Sequence, residues 1–295
     1  MAISQVTTEI LNIGYQDGGP PDGPVVILLH GWPDDVRAWR SFAPRLHAAG
    51  LRTVTPYLRG FGPTRFLFSE TRRDARAVAL AQDAIDLADA LRIQTFAVVG
   101  HDWGARAAYT LAALFPGRIT DVVGIALAFQ PRGKFKLPPF SQARRFWYQW
   151  FMNLDQGAEA VRADPKGFAR IQWDTWSPSG WFDDAEFEAT AQSFANPDWA
   201  EITLNGYRGR WRPQPETFDQ RYDELQKRLN AVDTLATNTL MIQGGSDFCD
   251  EAAGSEGMER FFTAGYRRIV LDGVGHFPPR EASEAVAQAV IAHLR

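Results

Sequence analysis

The sequence predicts an α/β architecture on a mostly parallel sheet, and three observations carry that reading. Short apolar runs rich in β-branched residues alternate with segments of helical period. One of those runs ends in the turn Gly100-His101-Asp102-Trp103-Gly104, and the strand rhythm stops from about residue 131 to 215, where aromatic residues crowd. With 295 residues, 45% of them apolar, the chain can bury a sizeable core and reads as one large domain carrying an insertion.

The first clear strand is 25–29, a continuous apolar run expected to be buried on both faces and ending in His30-Gly31-Trp32-Pro33. Helical period follows over 36–49 and 75–91. Residues 96–99 form the next buried strand, and 105–115 a helix stopped by Pro116-Gly117. After a strand at 122–128 comes the aromatic stretch, which holds seven of the ten tryptophans: Trp147, Trp150, Trp173, Trp176, Trp181, Trp199 and Trp211. Such an insertion between two strands is a candidate lid, so the chain divides into a core part at 1–131, a helical cap at 132–215 and a second core part at 216–295. Strands at 239–242 and 268–271 close the pattern.

Composition narrows the partners. A net charge of -4 argues against nucleic acid and anionic membrane, both of which need a basic patch. Residues 1–14 carry no basic n-region or long apolar h-region, and no run approaches a membrane span, so a cytoplasmic location is expected. The single cysteine, Cys249, excludes internal disulfides and a Cys-rich zinc site; no metal is expected. The partners expected are a small apolar substrate and water, and the sequence leaves a homodimer open.

The chemistry starts at Asp102. The pattern Gly-x-Asp-x-Gly, after a strand and before a helix, is the setting of a nucleophile elbow, with Asp where a serine hydrolase carries Ser. A carboxylate is ionised at neutral pH and can displace a leaving group at saturated carbon without a base to activate it, giving an alkyl ester of Asp102. His276, in Gly273-Val274-Gly275-His276-Phe277, follows the last strand; Asp247, in Gly244-Gly245-Ser246-Asp247, follows the one before. Loops at the carboxyl ends of parallel strands converge, so the three can meet. His276 is then the base that activates water against the ester, and Asp247 its orienting acid, with Asp250 as the rival. The backbone N–H groups of Trp32 and Trp103 are candidates for the oxyanion hole.

Together the His-Gly-Trp-Pro loop, the Gly-His-Asp-Trp-Gly elbow, the lid and Gly-Val-Gly-His-Phe resemble the α/β-hydrolases of the epoxide hydrolase and haloalkane dehalogenase group over essentially the whole chain. The resemblance implies an eight-stranded, mostly parallel sheet flanked by helices with the cap after strand 6, the aspartyl-ester mechanism, and no cofactor. It also implies that Tyr57-Leu58-Arg59-Gly60-Phe61-Gly62 shapes the sheet edge near the pocket. Tyr148 and Tyr207 resemble the tyrosine pair of epoxide hydrolases, where a phenol protonates the alkoxide of the opened ring; a halide leaving group needs no proton. Trp103, Trp150 and Phe277 are the expected substrate contacts. Gly206 stands where the family more often has a bulky aromatic. Arg106 resembles a carboxylate-binding arginine of haloacetate dehalogenases, but those also place Arg directly after the nucleophile, where this chain has Trp103; Arg106 is read as structural. The expected activity is hydrolysis of an apolar epoxide to a vicinal diol, with a haloalkane or haloacetate dehalogenase as the alternative.

Overall fold

The computed structural model describes residues 2–212 and 215–295. Residue 1, in the stretch read above for a targeting signal, and residues 213 and 214, in the expected cap, lie outside the described residues.

Among the described residues nine strands form one sheet: β1 (Ser4–Thr7), β2 (Leu11–Gly18), β3 (Val25–Leu29), β4 (Arg52–Pro56), β5 (Arg65–Phe66), β6 (Phe96–His101), β7 (Ile119–Ile125), β8 (Asn238–Gly244) and β9 (Tyr266–Leu271). Eight run in the order β1-β2-β4-β3-β6-β7-β8-β9, and the two-residue β5 pairs with β2 off that path. From β4 to β9 every pairing is parallel; β1, β2 and β5 pair antiparallel. The expected α/β-hydrolase sheet is present, and with β5 set aside, the aromatic insertion does follow the sixth strand.

Strand side chains alternate between the two faces, and the core divides accordingly. Ile27, Leu29, Val98 and Val122 pack with helices α2 (Ala77–Ala90) and α3 (Trp103–Leu114). Val26, Leu28, Ala97, Val99, Val123, Leu240 and Ile242 pack on the opposite face beside α1 (Ala43–Ala48). Because both faces are covered, β6 is buried along its whole length, which is why it reads as an unbroken apolar run.

Two expected elements differ. The helix expected over 36–49 is a 3-10 turn, Val36–Trp39, followed by α1; Pro44 lies in the first turn of α1, where its missing N–H costs nothing, whereas within a longer helix its ring would clash with the preceding turn. The strand expected at 122–128 ends at Ile125, because Ala126 takes φ 69° and leaves the ladder. The apolar character of Ala126 and Leu127 reflects burial at the strand's carboxyl end.

After β7 the described residues form the cap helices α4 (Phe140–Arg145), α5 (Trp147–Asn153), α6 (Asp155–Ala163), α7 (Pro165–Thr175), α8 (Asp184–Ala191) and α9 (Trp199–Trp211). The chain returns through α10 (Asp223–Leu229) and ends in α11 (Pro278–Glu281) and α12 (Ser283–His293), the last packing on the α1 face. Among the described residues no helix is long and apolar enough to cross a membrane.

Candidate active site

Strand β6 turns directly into α3 at Asp102, whose φ of 49° and ψ of -111° are strained for an L residue. The turn closes only because its neighbours lack side chains: a Cβ on Gly100 would lie 2.1 Å from the Gly104 carbonyl oxygen, and one on Gly104 2.1 Å from that of Leu29. This strain lifts the Asp102 carboxylate above the carboxyl edge of the sheet. Its Oδ1 accepts a hydrogen bond from the Trp32 backbone N–H at 2.9 Å, delivered by the loop after β3. The Trp103 N–H opens α3 and so has no acceptor within its own helix.

The loops after β8 and β9 supply the other two groups. Asp247 Oδ2 stands 2.8 Å from His276 Nδ1, while the opposite ring nitrogen, Nε2, faces Asp102 Oδ2 at 3.7 Å. Asp247 is itself held by the N–H groups of Cys249 and Asp250, at 2.7 and 2.8 Å on Oδ1, and by Gln243 Nε2 at 3.2 Å on Oδ2. Asp250 therefore braces Asp247 through its backbone, and its own carboxyl makes no bond to the imidazole. Burial alone would lower the His276 pKa, but the carboxylates of Asp247 and Asp102 push it up to about 10. For Asp102, burial acts upward, yet His276, His101 and the Trp32 N–H outweigh it and hold the group well below the usual carboxylate range. The site at rest is an imidazolium between two carboxylates.

Two cap helices close over this carboxylate. Tyr148 on α5 and Tyr207 on α9 meet edge to face, ring centroids 5.3 Å apart, and both rest on the Trp32 indole at 5.8 and 5.0 Å. Trp32 is fixed from above as well, since its Nε1 donates to Thr203 Oγ1 at 2.9 Å. Burial, then Cys249 for Tyr148 and Asp102 for Tyr207, raises both phenols well above their ordinary pKa, so both stay protonated. Tyr148 Oη accepts from Gln149 Nε2 at 2.8 Å, and Gln149 is oriented by Trp211 Nε1 on its Oε1 at 2.8 Å. The other neighbour of the Tyr148 hydroxyl is Cys249 Sγ at 3.6 Å.

The remaining expected contacts divide. Trp103 packs on Tyr207 at 5.4 Å and belongs to the site. Its ring occupies the space beside α9 that Gly206 leaves, where a Cβ would come within 2.6 Å of the indole. Phe277 is buried behind the His276 imidazole, parallel to Trp181 at 4.5 Å, and supports the His276 loop from behind. Trp150 is not brought to the site: it packs tilted against Trp211 at 4.7 Å and donates to the Ala143 carbonyl. Two residues along a helix is a turn of about 200°, so once Tyr148 faces inward Trp150 faces away. In the loop after β4, Phe61 packs edge-on to Trp103 at 6.5 Å, and Arg59 is buried in an ion pair with Asp83.

Several positioning groups carry no sequence signal of their own. Ser177 Oγ accepts from the His276 N–H at 2.8 Å, and Glu281 binds the Ser177 hydroxyl and the N–H groups of Gly275 and Phe277 at 2.6 to 2.8 Å. His101 Nε2 lies 2.7 Å from the His276 carbonyl oxygen. Glu281, an acid just inside a Pro-Pro helix start, was open to detection as a capping carboxylate; Ser177 arrives from the cap and was not. Arg280 ties the same loop to Asp34 and to Glu186 of α8, each at 2.6 Å. Among the described residues no cluster of three or more His, Cys, Asp and Glu side chains could hold a metal ion.

Known proteins are similar to this chain to different extents. The chain is 38% identical over 154 residues to epoxide hydrolase B of Mycobacterium tuberculosis, a match spanning 47% of this chain and 43% of that protein, less than half of the relative's length. Epoxide hydrolase A of the same organism is 24% identical with 98% and 96% covered. A crystal structure of a candidate epoxide hydrolase from Klebsiella pneumoniae superposes with a TM-score of 0.90 at 37% identity, covering 99% of this chain and 96% of that one. The family described as alpha/beta hydrolase fold matches residues 24–282. A strained acidic elbow after β6, an acid and a histidine after β8 and β9, and a match across that span place this chain in the α/β-hydrolase-fold family, in its epoxide hydrolase group.

Proposed function

We propose that the protein hydrolyses an apolar epoxide to a vicinal diol through an ester of Asp102. The single observation that supports this reading best is the pair of protonated phenols, Tyr148 and Tyr207, that meets on Trp32 above the Asp102 carboxylate. Asp102 Oδ2 attacks an epoxide carbon, the carbon–oxygen bond breaks, and the alkoxide takes a proton from a phenol; a halide leaving group would have no use for two such donors. In the second step water attacks the ester carbonyl carbon and His276 Nε2 takes its proton. The oxyanion forms on Oδ1, where the Trp32 N–H already lies at 2.9 Å, and the Trp103 N–H opens the helix beside it. The bond from that carbon to Oδ2 then breaks, the departing alkoxide takes the second proton of the water as the carboxylate re-forms, so the diol leaves with an enzyme oxygen, and the proton taken by His276 returns it to its resting imidazolium.

Charge explains the order of events. While Asp102 is ionised it holds His276 as an imidazolium, which cannot act as a base. Ester formation removes that negative charge, and the imidazolium passes its proton back to the phenolate left by ring opening, so His276 is a neutral base when water attacks. Asp247 keeps the ring oriented throughout.

One turnover in heavy-oxygen water tests the ester: the label is expected in the peptide that carries Asp102, and first-turnover label in the diol alone would refute the mechanism. His276→Gln should trap the ester, and Asp102→Ala should abolish it. A second reading, attack on a carbon–halogen bond, is favoured by one observation: Trp103 Nε1 is buried with no acceptor among the described residues, and a halide wants such a donor. Halide release measured beside epoxide turnover separates the two.

A further inference from the structure

Two large apolar side chains of the cap stand almost wholly in water: Leu137 is 85% exposed and Phe140 95%. They belong to residues 131–145, which carry five cations (Arg132, Lys134, Lys136, Arg144 and Arg145) and no acid, in a chain whose acids outnumber its Lys and Arg residues by 35 to 31. The net charge of -4 is an average that conceals this stretch. Arg132 and Arg145 meet Asp233 and Glu251, at 2.6 and 3.2 Å. Among the described residues no carboxylate pairs with Lys134, Lys136 or Arg144.

The local structure keeps these groups on the outer side. Residues 134–139 belong to no helix or strand, and within them Phe135 turns inward: Arg106 of α3 and Arg210 of α9 lie over its ring at 4.5 and 4.9 Å. Its ring helps to wall a cavity of about 540 Å³ that the Trp103 indole partitions from Asp102, while Lys136, on its other side, is exposed. In α4, Gln142 and Arg145, three residues apart, face the core and donate to the carbonyls of Cys249 and Asp247 at 2.7 and 2.8 Å. Phe140 and Arg144, four apart, share the opposite, exposed face. In the loop that receives α4, Phe248 is 47% exposed as well. The segment is anchored by its inner side, so the exposure of its outer side is built into the fold.

Apolar groups of this size lose free energy in water unless something covers them. We propose that this face of the cap docks on an anionic phospholipid surface, with Leu137 and Phe140 in the acyl boundary and Lys134, Lys136 and Arg144 against the headgroup phosphates. The charge pattern selects that partner. A second copy of the chain, joined through the same face, would set cation against cation. A nucleic acid would meet the cations and leave the aliphatic Leu137 without a partner. A fluid anionic surface satisfies both, because it takes in apolar groups that project singly and form no groove.

Flotation of the full chain with lipid vesicles reads this directly and needs no turnover. Phosphatidylcholine vesicles containing about one third phosphatidylglycerol should carry at least tenfold more protein than vesicles of phosphatidylcholine alone, and about 1 M NaCl should release it as the charges are screened. The triple variant Lys134→Gln, Lys136→Gln, Arg144→Gln should lower the partition coefficient by about 100-fold, and Leu137→Ser with Phe140→Ser by about tenfold or more. Both variants change exposed side chains, so their Tm should match that of the unmodified chain; where it falls, Lys136→Gln and Phe140→Ser alone carry the comparison. Docking is refuted if the unmodified chain stays behind with both kinds of vesicle, if both kinds carry it equally, or if the variants bind as it does. Sedimentation velocity identifies the other occupant: a dimer that Leu137→Ser with Phe140→Ser dissolves, in a chain that ignores vesicles, assigns the face to a second copy and overturns the proposal.

Discussion

Replacing Asp102 by Asn gives the carboxylate's shape without its charge and so imitates the ester on the one property that matters to His276. In the structure the imidazole Nε2 is 3.7 Å from Asp102 Oδ2. At that distance, with an effective dielectric constant of about 20, one unit charge is worth about 4.5 kcal/mol. Removing it should therefore lower the His276 pKa by roughly 3 from its value of about 10, into the range where a base works near neutral pH. Asp247 stays in place at 2.8 Å, so the ring keeps its orientation and the fall isolates the contribution of Asp102. Nitrogen-15 labelling of the five histidines and an NMR titration from pH 5 to 11, assigned with a His276→Gln control, reads the change directly. Stability supplies a second readout: His276 binds its proton more tightly folded than unfolded, so this contribution is fully present below pH 6.5 and is lost as pH rises through about 10. In Asp102→Asn the interval over which it is lost should shrink from the alkaline side. A His276 pKa equal in the two proteins would refute the charge-controlled order of the two steps.

Three other outcomes are expected. Removing both phenols in Tyr148→Phe with Tyr207→Phe should lower kcat on a neutral epoxide by about 10²- to 10⁴-fold, with each single variant intermediate; full activity in the double variant would remove the tyrosines from the mechanism. Glu281→Ala leaves the Gly275 and Phe277 N–H groups and the Ser177 hydroxyl without their acceptor, so urea unfolding should show a loss of about 2 to 3 kcal/mol, and kcat should fall with it as the His276 loop loosens; Glu281→Gln should recover part of both. Gly206→Ala puts a Cβ within 2.6 Å of the Trp103 ring, so about 1 to 3 kcal/mol of overpacking is expected, together with altered tryptophan emission as the partition shifts; unaltered emission and stability would mean that Trp103 moves freely there.

What was readable in the chain follows from how local each signal is. The elbow was visible because its cause is local: a strained residue flanked by glycines whose absent side chains permit the turn. His276 and Asp247 were visible because parallel strands end at one edge, so position after a strand stands in for position in space. Tyr148 was found by resemblance, but Trp150 was misplaced because the choice between them depends on which face of α5 is inward, and that face is apolar and aromatic on both sides. Ser177 and Thr203 were out of reach for a further reason: each contributes one hydroxyl to a core loop from a cap whose docking no local pattern encodes. The same logic governs Arg106. Taken with its neighbours in sequence it is one arginine on a helix, and the absence of a second arginine after the nucleophile favours a structural role. The second cation comes instead from α9, and only when the cap lies on the core do Arg106 and Arg210 share a cavity without a carboxylate between them. Such a juxtaposition is a property of the assembled fold, because the two residues sit on helices more than 80 residues apart that meet only when the cap docks.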